Sequence, residues 1–86
     1  MEVIFHRTFL QQYKKVPSRV QEQFYERLEL WLEDSTHPTL RVHSLKGKYT
    51  GYWSMNITGD IRALYREEGE EIVIFAFIGT HSQLYG

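Results

Sequence analysis

Cysteine is absent from the 86 residues, long hydrophobic runs are absent, and no excess of charge of either sign is present. Without cysteine there is no disulfide framework, no thiolate metal site and no cysteine nucleophile. A membrane span needs about 20 consecutive apolar residues, and the opening M-E-V-I-F-H is too short and too acidic for a span or a signal peptide. The expectation is a soluble cytoplasmic protein. A net charge of −1 gives no bulk attraction for nucleic acid.

What is present fits one domain over residues 1–86. A chain of this size buries about 60–65% of its unfolded surface, enough for a core with little margin. Aromatic and apolar content is that of a globular protein. Charge is unevenly spread. Acidic residues gather at Glu22, Glu26, Glu29, Glu33 and Asp34 and again at Glu67, Glu68, Glu70 and Glu71. Between them lie Arg41, Lys46, Lys48, Arg62 and Arg66 against Asp60 alone, so a basic middle segment sits inside a balanced protein.

Alternation around Val3 and Phe5 predicts a short first strand. Thr8 with Gln11 reads as a capping box, followed by an apolar stripe of Phe9, Leu10, Tyr13 and Val16 that Pro17 closes. Ser18 with Gln21 repeats the signal. Val20, Phe24, Leu28, Trp31 and Leu32 then predict an amphipathic helix to about Asp34, with the acidic cluster outside. Ser35 to Gly51 has no clean period and reads as a long surface connection, of the kind that often carries function.

Two hairpins follow. A three-residue loop at Thr58–Asp60 pairs Ile57 with Ile61, Met55 with Ala63 and Trp53 with Tyr65, gathering one apolar face. The other face then carries Tyr52, Ser54 and Asn56 beside Arg62, Leu64 and Arg66. The last strand, I-V-I-F-A-F-I, is apolar on both faces and therefore central, with Val73, Phe75 and Phe77 expected on the face of Arg62. The fold class is α+β, ordered β-α-α-β-β-β, with two N-terminal helices packed on a largely antiparallel sheet.

Three stretches carry a resemblance: V-H-S-L-K-G, then G-Y-W-S-M-N-I-T-G-D-I-R-A-L-Y, then I-G-T-H-S-Q-L-Y-G. Together they resemble the RelE/ParE superfamily of bacterial type II toxins, most closely its YafQ-like branch. The H-x-L-x-G element and the terminal G-T-H-x-x-L-aromatic-G are the specific parts; the hairpin is common to the superfamily. The resemblance implies a ribosome-dependent, metal-independent mRNA endonuclease without a cofactor, neutralised by a cognate antitoxin. It places His43 as the loop histidine, Asp60 as the hairpin aspartate, His81 as the C-terminal histidine and Tyr85 as the terminal aromatic. Arg62 resembles the strand arginine near the scissile phosphate. Asn56 stands where YafQ-like relatives carry a second strand histidine, and an amide cannot shuttle a proton.

The chemistry suits these residue types. Histidine titrates near neutral pH and can take or give a proton. Arginine holds phosphate through a planar, permanently charged fork. RNA supplies its own nucleophile, the 2′-hydroxyl. On this reading His81 is the general acid, His43 and Asp60 share the base role, and Arg62 holds the phosphate. Lys46, Lys48, Arg66 and Asn56 guide the RNA, and Tyr85 stacks on a base or positions a phosphate. Each residue also has a plainer account: His81 as an exposed terminal histidine, His43 as an ordinary loop residue, Asp60 as a turn residue, Arg62 as the partner of Asp60 or Glu71, Tyr85 as a packing anchor. His6 and His37 sit in no motif.

Two other functions compete with the nuclease: a ParE-like gyrase poison, which generally lacks the acid–base set, and an inactive homologue that only binds an antitoxin. An antitoxin peptide is expected to lie across Val73, Phe75 and Phe77 or across the first helices.

Overall fold

Alternating side chains of Glu2–Phe5 form strand β1, with Val3 and Phe5 half-buried and Glu2 and Ile4 exposed. The computed structural model describes residues 1–85; Gly86, last in the terminal motif, lies outside them. Helix α1 spans Arg7–Tyr13. Its cap is His6, whose Nδ1 accepts from the Thr8 amide at 3.1 Å, so Thr8 lies inside the first turn and the expected capping box does not form. Phe9 is buried, whereas Leu10, expected on the same stripe, is 47% exposed.

Helix α2 spans Ser18–Glu33, and Pro17 takes its cap position without a side-chain cap. Gln21 instead turns back and donates to the carbonyls of Tyr13 and Val16, at 2.9 and 3.3 Å, locking the α1–α2 corner. Val20, Phe24, Leu28 and Trp31 are buried, but Leu32 is 53% exposed. At about 100° per residue, Leu32 stands roughly 85° off the centre of that stripe.

The segment expected to be irregular is anchored. It forms 3-10 turns at Pro38–Leu40 and Gly47–Tyr49 and a two-residue strand β2, His43–Ser44. Leu40 and Tyr49 are buried, each entering a different cluster, so their spacing follows no single period. Strands β3 (Trp53–Asn56), β4 (Ile61–Glu68) and β5 (Ile72–Thr80) complete a sheet of order β1-β5-β4-β3-β2. β1 runs parallel to β5 and the other neighbours are antiparallel, as expected of a largely antiparallel sheet.

The β3–β4 register is the expected one, Trp53 opposite Tyr65 and Met55 opposite Ala63. Thr58 Oγ1 fixes the turn by accepting from the amides of Asp60 and Ile61. The β4–β5 register differs from expectation. Leu64 faces Phe77, but Tyr65 faces Phe75, so Ala76 is a bulge and the faces switch there. Phe77 shares the face of Arg62, while Val73 and Phe75 turn into the helix-side core and are 1% and 0% exposed. A peptide cannot lie across all three.

Helices α1 and α2 cover one sheet face, over an aromatic core in which Phe5, Phe9, Phe24 and Phe75 are in ring contact. Trp31 Nε1 donates to the Tyr65 hydroxyl across this core at 3.0 Å. On the other face a smaller cluster of Tyr49, Leu64 and Leu84 holds a last helix, α3, His81–Tyr85. The sequence reading has no such helix, although T-H-S-Q signals it. Gln83 Oε1 accepts from the Thr80 amide at 2.8 Å, and Thr80 Oγ1 accepts from the Gln83 amide at 3.0 Å, a reciprocal cap. Among the described residues no helix is long and apolar enough to cross a membrane.

Candidate functional site

Three pairings converge at one end of the sheet. β2 sets His43 opposite Ser54, β3 and β4 set Asn56 opposite Arg62, and α3 stacks His81 and Tyr85 one turn apart. The rings of His81 and Tyr85 lie 4.7 Å apart at 47°. These six side chains line an open groove of about 520 Å³, with Arg41 and Leu45 closing its ends.

His43 is held by one directional contact: its Nδ1–H donates to the Arg41 carbonyl at 2.9 Å. A carbonyl can only accept, so Nδ1 carries a proton, and in the neutral ring Nε2 is then the nitrogen with the lone pair. Arg41 makes this contact from a left-handed backbone, φ 47°, unique among the described non-glycine residues. Such a conformation costs about 1–2 kcal/mol for a side-chain-bearing residue. It ends the Pro38–Leu40 turn and sends the chain into the edge strand that carries His43.

Arg62 is set by the T-G-D turn. Its Nη1 donates to the carbonyls of Thr58, Gly59 and Ile61 at 3.1, 3.2 and 3.3 Å, which leaves Nη2 and Nε unengaged among the described residues. It pairs with neither Asp60 nor Glu71; the ion pairs of the described residues are Met1 with Glu71 and Arg66 with Glu68. No aspartate or glutamate lines the groove, whose charged lining residues are Arg41 and Arg62.

The other residues singled out by sequence lie outside this lining. Asp60 is exposed at the turn, and its backbone carbonyl accepts from the His81 amide at 3.3 Å. Lys46 and Lys48 are exposed beside the groove, with Lys48 Nζ 5.2 Å from the centre of the Tyr49 ring. That ring in turn meets Tyr85 edge-on at 5.6 Å. Arg66 is farther along β4, paired with Glu68 at 3.8 Å. Tyr85 is half-buried, so it packs and faces the groove at once.

Two polar lining residues, Arg41 and Ser54, were missed from sequence. Arg41 had only its charge to mark it. Ser54 is 1% exposed, and its hydroxyl has no hydrogen-bond partner. Buried hydroxyls are nearly always paired, so this one is an exception, and it lies in the wall of the groove. Nothing in the alternation of β3 distinguishes Ser54 from a spacer. Among the described residues no three histidine, aspartate or glutamate side chains gather closely enough to hold a metal ion.

A family model described as the bacterial toxin of the type II toxin–antitoxin system, YafQ, matches residues 1–86. The fold is similar to that of YafQ from Escherichia coli strain BL21(DE3), at TM-score 0.83 and 17% identity, covering 99% of this chain and 98% of that one. It is also similar to the YoeB/ParE toxin from Agrobacterium tumefaciens, at TM-score 0.78 and 21% identity, covering 94% and 99%. A third similar fold comes from the RelB–RelE antitoxin–toxin complex of Methanococcus jannaschii, at TM-score 0.75 and 20% identity, covering 95% and 94%. No curated protein matches the chain in sequence.

Proposed function

The chain belongs to the YafQ family of bacterial type II toxin–antitoxin toxins, and we propose that it is a ribosome-dependent mRNA endonuclease. The observation that carries this reading is the meeting of two histidines and an unpaired arginine in one groove free of carboxylates. His43 Nε2, its lone pair kept free by the Nδ1–H bond to Arg41, takes the proton of the 2′-hydroxyl. The 2′-oxygen attacks phosphorus, and the bond from phosphorus to the 5′-oxygen breaks. His81, in its protonated form, gives a proton to that departing oxygen. The products are a 2′,3′-cyclic phosphate and a free 5′-hydroxyl. Arg62 offers Nη2 and Nε to the phosphoryl oxygens as charge develops on them.

Asp60 lies at the rim, so the base role falls chiefly to His43, and Asp60 acts on His81 through its backbone carbonyl. Asn56, opposite Arg62, serves as a hydrogen-bonding group to RNA rather than as a proton carrier. Tyr85 supplies a stacking face next to His81. The ribosome presents the message, which compensates for the weak bulk attraction of a protein of charge −1. A cognate antitoxin is the expected protein partner, in line with the DinJ–YafQ and RelB–RelE complexes among the similar folds.

Primer extension on a reporter mRNA after brief induction tests the proposal, comparing the native chain with His81→Ala. Discrete cuts that vanish in the variant support it. Growth arrest without cuts would point to gyrase, and neither effect would point to an antitoxin-binding homologue.

A further inference from the structure

A second open groove, of about 460 Å³, runs on from the first. The two share Arg41, Asn56 and Arg62. Beyond that shared wall the second groove is bounded by Gln23 and Arg27 of α2 and by the Thr58–Gly59 turn. Again no aspartate or glutamate lines it, although α2 is otherwise rich in glutamate. Arg27 makes no ion pair with any described residue. It sits one turn past Gln23, on the flank of the buried stripe, and is half-buried. A guanidinium brought to a groove without a carboxylate partner is built to meet an anion.

Resting on the nuclease reading, the geometry points to this second groove as the seat of the RNA nucleotide flanking the scissile bond. Arg27 binds that nucleotide's phosphate, and Gln23 offers its amide to the sugar or base edge. Arg41 and Arg62 form the wall between the two nucleotides and can touch the phosphates on either side of it. The acidic outer face of α2, with Glu22, Glu26, Glu29 and Glu33, disfavours a path over that helix and favours one along the two grooves.

The test is a coupling cycle on purified protein with ribosome-bound mRNA. The message carries a neutral methylphosphonate in place of the phosphate one position 5′ or 3′ of the cut. Arg27→Gln, which removes the charge and keeps a shorter polar side chain, is compared with the native chain, and melting curves verify that both are folded. For one of the two positions the native chain should lose about tenfold in cleavage efficiency. Arg27→Gln should lose a similar factor on unmodified message and nothing further on the modified one. Arg27→Lys should recover part of the loss.

If native protein cuts and Arg27→Gln cuts equally well, or remains fully sensitive at both positions, the second groove is not the flanking site. Undiminished cutting by Arg27→Gln with lost antitoxin binding would assign the groove to the protein partner instead. Failure of the native chain to cut would remove the nuclease reading, and this proposal with it.

Discussion

Ser54 tests the site at the scale of a single atom. Its hydroxyl is buried in the groove wall with no partner, which costs about 1–3 kcal/mol relative to a paired group. Ser54→Ala removes that cost and is expected to raise stability by about 1 kcal/mol in chemical denaturation. On the proposed nuclease reading the same change should also slow RNA cleavage, since it removes a polar group from the groove wall. A residue whose deletion stabilises the fold and weakens activity has been kept for function. Lower stability together with undiminished cleavage would make Ser54 an ordinary core residue. Arg41 poses a related question through its backbone. Arg41→Gly should relieve the left-handed conformation yet cut more slowly, since it removes one of the two charges shared by both grooves. Equal cleavage rates for Arg41→Gly and the native chain would dismiss Arg41 from the site.

At the scale of elements, α3 presents His81, and its first turn is held by a reciprocal cap and by the Asp60 carbonyl. Gln83 folds back so that its Oε1 meets the Thr80 amide, and this path crosses the open side of Gly79. A Cβ at Gly79 would stand 3.0 Å from that oxygen. Gly79→Ala should therefore displace the cap, fray α3 and lower stability by about 1 kcal/mol, with a larger proportional loss of cleavage because His81 moves. Unchanged melting and unchanged cleavage in Gly79→Ala would mean that the cap does not govern the site. The far end of α3 is pinned separately, by the Tyr49 hydroxyl donating to the Leu84 carbonyl at 2.7 Å.

What was legible in sequence divides along the same lines. The β3–β4 hairpin could be read because its loop length and its alternating faces agree on one register. The stripe of α2 could be read from Val20 to Trp31, and Leu32 failed because it lies beyond the buried arc. The bulge at Ala76 could not be read, since β5 is apolar on both faces and a one-residue slip leaves no trace in such a run. Strand β2 has two residues, too few for a period to register. His43, His81, Arg62, Asn56 and Tyr85 were singled out through the family resemblance, and their convergence belongs to topology. Ser54 and Arg27 were invisible because their significance lies in what they lack, a hydrogen-bond partner and a counter-ion.

Across the whole molecule the helix layer and the sheet are joined through Tyr65, whose burial makes stability depend on alkaline pH. Burial raises the pKa of Tyr65 above its ordinary value, the Trp31 hydrogen bond opposes that rise, and the nearby Glu67 adds to it. Tyr13 is raised as well, by burial and by Tyr25 beside it. The fold thus favours neutral phenols. Their contribution is complete below about pH 10, the unfolded value, and is lost as pH climbs through the higher folded values. Denaturant midpoints should be flat towards neutrality and fall above about pH 10. Tyr65→Phe should make that fall shallower while lowering stability at neutral pH by about 1–3 kcal/mol, since the buried Trp31 N–H loses its acceptor. A Tyr65→Phe curve parallel to the native one would remove Tyr65 from the alkaline transition.

The acid–base pair is the centre of the functional account, and single-turnover cleavage of ribosome-bound mRNA tests it most directly. Native protein, His43→Ala and His81→Ala are compared at saturating protein, and the new 3′ ends are analysed. The account predicts 2′,3′-cyclic phosphate ends from the native chain and a loss of at least about a hundredfold in rate for each variant, with ribosome binding retained. Cleavage by both variants at the native rate, or ends without the cyclic phosphate, would contradict it.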